Sequence, residues 1–264
     1  LPGVPFEMKA LITNEVIPAL QKHYTRPFII HKTLLTYGLG ESVIAERIES
    51  WENQLPDDIK LAYLPNLGRV RLRLSGKGTD EVLLNNRIDS EIEKLYPLIG
   101  NIIMGFEEEA SIEEQLKNQF VNKATTLAIA ESCTGGKIAN RLTNIPGSSA
   151  YFKGGVVAYS TDAKVNLLGV SRDLINEYSV VSAQVAEAMA VGALEKFGTS
   201  IGVSTTGNAG PTKGDSDAEI GTVYIGLATV NNVISYELHL GKHRERVLEK
   251  AVNKVMELLY KEVF

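Results

Sequence analysis

Cysteine is almost absent from this sequence. The single one, Cys133, has no second thiol to pair with, which excludes an internal disulfide and an all-cysteine zinc site and fits a reducing compartment, the cytoplasm. Long apolar runs are also missing, since none reaches the ~18 residues that span a bilayer, so no membrane partner is expected. Positive charge is in deficit: 27 Lys and Arg stand against 32 Asp and Glu, for a net charge of -5. That balance disfavours a broad grip on nucleic acid and leaves room only for a local basic patch. The opening stretch LPGVPFEMK has no initiator Met, no basic segment and no apolar core, so it is no signal peptide and reads as a cut end.

What remains is an ordinary globular composition, 44% hydrophobic and 22% charged over 264 residues. That length suits two domains, each usually roughly 100–200 residues. Residues 6 to 22 place Phe6, Leu11, Val16 and Leu20 among polar positions, with Pro18 near the end, and predict one connector helix over 1–23. From Phe28 to about Tyr96 the periods alternate as strand (HKTLLTYGLG), helix (ESVIAERIESW), strand (VRLRLSG) and helix (TDEVLLNNRIDSEIEKLYPLI), a small α+β unit over 24–98. In the second strand Val70, Leu72 and Leu74 alternate with Arg69, Arg71 and Arg73. One face is therefore buried and the other basic. Single-strand binders interleave aromatic stacking residues, which this stretch lacks, so a solvated strand face is expected and nucleic acid is not.

The acidic segment MGFEEEASIEEQL predicts a linker over 99–111 and a second unit over 112–264. Its periods give a helix (IEEQLKNQFVNK), a strand (TTLAIAE), a helix (GGKIANRLTN), a strand (GGVVAYS), a short helix (AKVNLLG) and a long one (AQVAEAMAVGALEKFG). The strands SIGVSTT, GTVYIGLATV and VISYELHL and a final helix, HRERVLEKAVNKVMELLYKEV, complete it. Strands that alternate with helices and then form a hairpin pack most economically as a mixed sheet with helices on both faces.

Three segments carry chemistry. In AESCTGGK an apolar strand stops and two glycines open a helix, so Ser132 faces free N–H groups that suit an anion or oxyanion. Ser132 is the candidate nucleophile, with a simple helix cap as the alternative. Cys133 has no histidine in a motif to activate it and reads as a small buried hydrophobe. In VVAYSTDAKVNLLG a strand ends at Tyr159 and a short helix, capped by Ser160 or Thr161, begins before Lys164. The helix dipole and partial burial should lower the pKa of that lysine towards the range of a base. Tyr159 then either relays the proton or packs on the core as a strand-end aromatic. In STTGNAGPTKG a strand runs into a loop whose N–H groups suit carbonyl or phosphate oxygens. His239 and His243 lack the acidic partner of a zinc signature, so no metal is expected. Arg244 and Arg246 open the last helix and either hold a phosphate or form a solvated basic face.

Taken together, AESCTGG, the PGSSAYFKGGVVAYS run, Lys164, TGNAGP and GTVYIGLA, in that order, resemble the CinA family over roughly residues 112 to 264. The C-terminal domain of that family is a nicotinamide-mononucleotide amidase. The resemblance implies a three-layer α/β/α sandwich with a mixed sheet, preceded by a small α+β domain that resembles the KH-like middle domain of longer members. LPGVPFEMK is similar to the end of their N-terminal molybdopterin-binding-like domain, most of which is absent here, and with it the family's metal-dependent ADP-ribose pyrophosphatase activity.

The activity implied is hydrolysis of a linear amide, nicotinamide mononucleotide plus water giving nicotinate mononucleotide plus ammonia, with no cofactor or metal. Ser132 is implied as nucleophile and Tyr159 and Lys164 as its activating pair. The substrate-contacting positions expected are Glu131, Thr134, Gly135, Gly136, Thr206, Gly207, Asn208, Ala209 and Gly210. Ser148, Ser149 or the 241–246 segment with Arg244 would hold the phosphate, within one chain or across the homodimer usual in the family. The alternative is a nucleotide-binding or regulatory module without turnover, in which Ser132 only caps a helix and Lys164 only pairs with phosphate.

Overall fold

The structure, a computed structural model, describes residues 5–23, 27–66, 69–107, 111–214 and 216–262. The first four residues, part of the LPGVPFEMK similarity, lie outside it, as do residues 24–26 and 108–110 at the edges of the expected first unit and linker. The connector is α1 (Pro5–Leu11), a π turn (Ile12–Val16) and α2 (Ile17–His23), where one regular helix was expected. Pro18 explains the turn, because it has no N–H to give and its ring crowds the carbonyl four residues back. The Ile17 N–H accordingly reaches back to the Ile12 carbonyl.

The first unit contains β1 (Phe28–Tyr37), α3 (Glu41–Glu52), β2 (Ile59–Asn66), β3 (Arg69–Gly78), α4 (Glu81–Glu93), α5 (Tyr96–Ile99) and β4 (Ile103–Phe106). Its antiparallel sheet has the order β2-β3-β1-β4. Spacings of four and three put Ile44, Ile48 and Trp51 of α3 on one stripe, which packs with Leu34, Leu72 and Leu74 of the sheet. Two strands were not expected. β2 contains Pro65, which an edge position tolerates because no ladder N–H is needed there. β4 has four residues and lies inside the stretch predicted as linker, so the first sheet extends to Phe106.

The opposite face of this sheet corrects a second expectation, because its arginines are not a solvated row. Arg71 pairs with Glu107 at 2.6 Å, Arg73 donates to the Thr33 hydroxyl at 3.3 Å and Arg69 to the Tyr37 hydroxyl at 3.3 Å. Leu35 and Tyr37, which stand directly across from Arg71 and Arg69, join Met104 in the core of the second unit. The arginine face is thus half covered by the neighbouring unit.

The second unit runs α6 (Ile112–Asn122), β5 (Leu127–Glu131), α7 (Lys137–Thr143), β6 (Phe152–Val157), α8 (Thr161–Leu168), α9 (Arg172–Tyr178), α10 (Ala183–Phe197), β7 (Ile201–Gly207), β8 (Thr222–Thr229), β9 (Val233–His239) and α11 (Arg244–Glu262). The sheet order is β6-β5-β7-β8-β9; β5 is parallel to both β6 and β7, whereas β8 and β9 return antiparallel. Alternation along β5 sorts the two cores. Leu127 and Ile129 pack with α6, α7 and α11, whereas Ala128 and Ala130 pack with α8, α9 and α10. This is a three-layer α/β/α sandwich with a mixed sheet, preceded by a small α+β unit.

The alanine side is thin for a reason. A Cβ built on Gly202 of β7 would lie 2.1 Å from the Ala190 carbonyl oxygen, and one on Gly226 of β8 2.3 Å from that of Ala186. The backbone of α10 therefore rests directly on the sheet. Because overpacking against backbone finds no rotamer to escape into, Gly202→Val should destabilise the protein by at least about 3 kcal/mol. Urea unfolding measures this, and a midpoint equal to wild type would show that α10 does not sit where described.

Candidate active site

The candidate site forms where β5, β6 and β7 end side by side, the end of parallel strands at which α/β folds collect ligands. The β5–β7 ladder runs one bond past the strand, as the Ser132 N–H donates to the Thr205 carbonyl at 2.9 Å. The chain then turns sharply: the Gly135 N–H returns to the Ser132 carbonyl at 3.1 Å, and Gly135 and Gly136 take φ of +60° and +94°. This left-handed pair is where glycine costs least.

Beyond β6, Ser160 caps α8 by accepting the Ala163 N–H at 3.1 Å, which fixes Lys164 in the first turn of the helix. Its side chain runs inward. Lys164 is 3% exposed and Ser132 7%, and Nζ lies 3.0 Å from the Ser132 Oγ, 3.0 Å from the Ala158 carbonyl oxygen and 3.3 Å from that of Tyr159. Residues 32 apart in sequence thus form one buried amine–hydroxyl pair.

The pair opens into a cavity of about 180 Å³ walled by Val180, Val181, Thr206, Gly207, Asn208 and Arg244. A second space of about 330 Å³ adjoins it, sharing Tyr159, Asn208 and Arg244 and adding Ala209, Gly210, Pro211 and Thr212. Arg244 belongs to both, and its guanidinium donates to the Gly210 carbonyl at 2.9 Å and to the Tyr159 hydroxyl at 3.3 Å. Asn208 fixes the loop by donating to the Ala218 carbonyl at 2.8 Å, and the Thr206 hydroxyl donates to Val180 at 2.6 Å. Among the described residues no group of three or more His, Cys, Asp or Glu could hold a metal ion, and no helix is long and apolar enough to cross a membrane.

Comparison with known proteins accounts for both units. Residues 109–263 match the CinA C-terminal domain and residues 31–105 the KH domain of damage-inducible protein CinA. The chain belongs to the CinA family. A CinA-like protein of Flavobacterium psychrophilum is 56% identical over 263 residues and one of Cytophaga hutchinsonii 38% over 266, each match covering 100% of this chain and 63% of the relative. The chain therefore spans less than two thirds of the length of these relatives. Among solved structures, the competence damage-inducible protein A of Klebsiella pneumoniae subsp. pneumoniae is 28% identical, with a TM-score of 0.56 over 58% of this chain and 94% of that one. The competence/damage inducible protein CihA of Agrobacterium tumefaciens is 35% identical, with a TM-score of 0.52 over 57% of this chain and 94% of that one.

In this CinA-family chain several expected contacts take other roles. Glu131 is buried and its carboxylate accepts the N–H groups of Gly136, Ile138 and Ala139 at 3.0, 3.1 and 2.9 Å. The start of α7, expected to receive a substrate anion, already holds one from the chain itself. Thr134 is buried against Thr205, with the hydroxyls 2.7 Å apart, and Glu131, Thr134, Gly135 and Gly136 build the turn without lining either cavity. Tyr159 neither packs on the core nor reaches Ser132. It is 60% exposed, its hydroxyl meets Arg244, and it gives Lys164 its carbonyl oxygen.

Ser148 and Ser149 precede β6, at the opposite end of that six-residue strand, roughly 20 Å from the pair at ~3.3 Å per residue. The Ser148 hydroxyl instead donates to the Leu142 and Ile145 carbonyls at the end of α7. Sequence reasoning missed Val180 and Val181, which come from the loop between α9 and α10. The one available signal was Ser182, which caps α10 and so places the two valines just before a helix.

Two expectations follow. Burial pushes the Cys133 thiol up to about 12, so at pH 8 it is protonated and should react with iodoacetamide on the order of a thousandfold more slowly than free cysteine. Mass spectrometry of the alkylated protein checks this, and labelling at the free-thiol rate would contradict it. Glu131→Ala strips three N–H groups of their acceptor and should lower the unfolding free energy by about 2–4 kcal/mol. Glu131→Gln, which keeps one acceptor oxygen, should lose less.

Proposed function

We propose that this chain hydrolyses the carboxamide of nicotinamide mononucleotide to nicotinate mononucleotide and ammonia, with Ser132 as nucleophile and Lys164 as its base. The observation that carries the reading is the buried 3.0 Å contact between the Lys164 Nζ and the Ser132 Oγ. Burial disfavours an ammonium relative to a neutral amine. In the neutral form two N–H groups serve the Ala158 and Tyr159 carbonyls, and the lone pair is left for the Ser132 proton. Family membership supports the same assignment.

The steps follow from this geometry. Lys164 takes the hydroxyl proton as Oγ bonds to the amide carbon, giving a tetrahedral oxyanion. Because Glu131 engages the N–H groups of Gly136, Ile138 and Ala139, the oxyanion donor in this reading is the amide of Cys133, a residue that lines the cavity with Ser132, worth roughly 3–4 kcal/mol. The C–N bond breaks as Lys164 returns the proton to nitrogen, releasing ammonia and leaving an ester on Ser132. Water, deprotonated by Lys164, then cleaves the ester and regenerates the hydroxyl. The 180 Å³ space takes the ring, and the adjoining one takes ribose and phosphate, with Arg244 as the cation. A cytoplasmic homodimer belongs to the same reading.

Ammonia release from nicotinamide mononucleotide tests the proposal. Ser132→Ala and Lys164→Ala should each lower kcat/KM by at least about a thousandfold while circular dichroism shows both variants still folded at the assay temperature. A silent wild type that still bound the nucleotide would instead make this a binding module without turnover.

A further inference from the structure

A further cavity lies elsewhere. It measures about 480 Å³ and lies where the two units meet, between the turn after β1, the β2–β3 hairpin, the end of β9 and α11. Its walls are apolar: Leu39, Pro65 and Val70 from the first unit face Leu238 and Leu240 from the second. Charge is unevenly settled around them. Glu257 is 4% exposed and accepts from Lys254 at 3.0 Å and Lys261 at 3.1 Å, so that acid and Lys254 satisfy each other. Glu41 stands exposed at the rim.

Two half-buried cations remain, one from each unit. Arg69 of the hairpin and Lys250 of α11 make no ion pair within 4 Å among the described residues, and the carboxylates that act on Arg69 from farther off, Glu113 and Glu107, are themselves paired with Arg141 and Arg71. Their hydrogen bonds go to neutral oxygens, the Tyr37 hydroxyl and the Leu240 carbonyl, each at 3.3 Å. Partly buried charges are screened less than exposed ones, so both contribute a positive potential to a space with low-dielectric walls. The volume falls in the ~300–1,000 Å³ range of small-molecule sites.

We propose that this cleft binds a small aromatic anion, a flat apolar body bearing one carboxylate, sulfonate or phosphate. Its ring lies between the leucine walls and its anion between Arg69 and Lys250. The site is separate from amide hydrolysis but tied to it mechanically: Lys250 follows Arg244 by six residues on α11, about 9 Å along the axis. A ligand there bridges the two units and pulls on the helix whose first residue enters the Ser132 cavity.

The probe is 1-anilinonaphthalene-8-sulfonate, titrated by fluorescence against the full chain. Wild type should bind one equivalent, with affinity falling as sodium chloride rises. The Arg69→Gln/Lys250→Gln double variant should bind at least tenfold more weakly with its salt dependence lost, and Leu39→Trp, which fills part of the space, should weaken binding without changing the salt dependence. Circular dichroism melting confirms that each variant is folded. No saturable binding by wild type, or equal affinity in the double variant, would overturn the proposal.

Discussion

Sealing a lysine amine from water costs several kcal/mol unless the fold supplies partners, and the second unit supplies them from backbone that it must expose anyway. At the end of β6 the Ala158 and Tyr159 carbonyls are the last before the chain turns into α8, and no further strand continues there to use them. Lys164 enters from the first turn of that helix and takes both. The parallel pairing of β5 with β6 then puts Ser132 beside it, because parallel neighbours end at the same side of the sheet. Neither residue could be moved one place without breaking this, since a single step flips a side chain to the other face of extended backbone at Ser132 and turns it by about 100° around the α8 axis at Lys164.

Glu131 sets the electrostatic balance of the same turn. A helix start ordinarily attracts an outside anion, but here the residue before Ser132 fills that place with its own carboxylate. The turn is rigid for that reason, and the affinity for negative charge moves across the cavity to Arg244. The cavity thereby has two unlike ends, a buried amine–hydroxyl pair with apolar valine walls and a guanidinium facing a polar loop. A flat ring with an anionic tail fits that polarity in one orientation only.

How much of this was legible depended on whether the cause was local. Ser132 and Lys164 could be found because a strand end, a glycine pair and a helix cap are written in adjacent residues, and the three-layer architecture because its strands and helices keep clean periods. The hydroxyl of Tyr159 meets Arg244, a contact that local pattern does not reveal because the two are 85 residues apart. Ser148 and Ser149 looked like phosphate donors only while the direction of β6 was unknown. The arginines of β3 read as solvated because alternation reveals that a face is polar and not what lies over it. β2, β4 and α9 are short, carry a proline or sit beside charged loops, and so fall below what periodicity resolves.

The two units are less separable than their sequence boundary suggests. Leu35, Tyr37 and Met104 of the first sheet share one apolar cluster with Phe120, Val252, Val255 and Met256 of the second unit. The last three belong to α11, whose earlier residues Val247, Leu248 and Ala251 pack with Cys133 and Ala209 beside Ser132. One helix therefore touches the Ser132 turn with its first half and the KH-like sheet with its second. Displacing that sheet would uncover the apolar side of α11 and loosen the segment that positions Arg244, so the first unit braces the helix from which Arg244 enters the cavity.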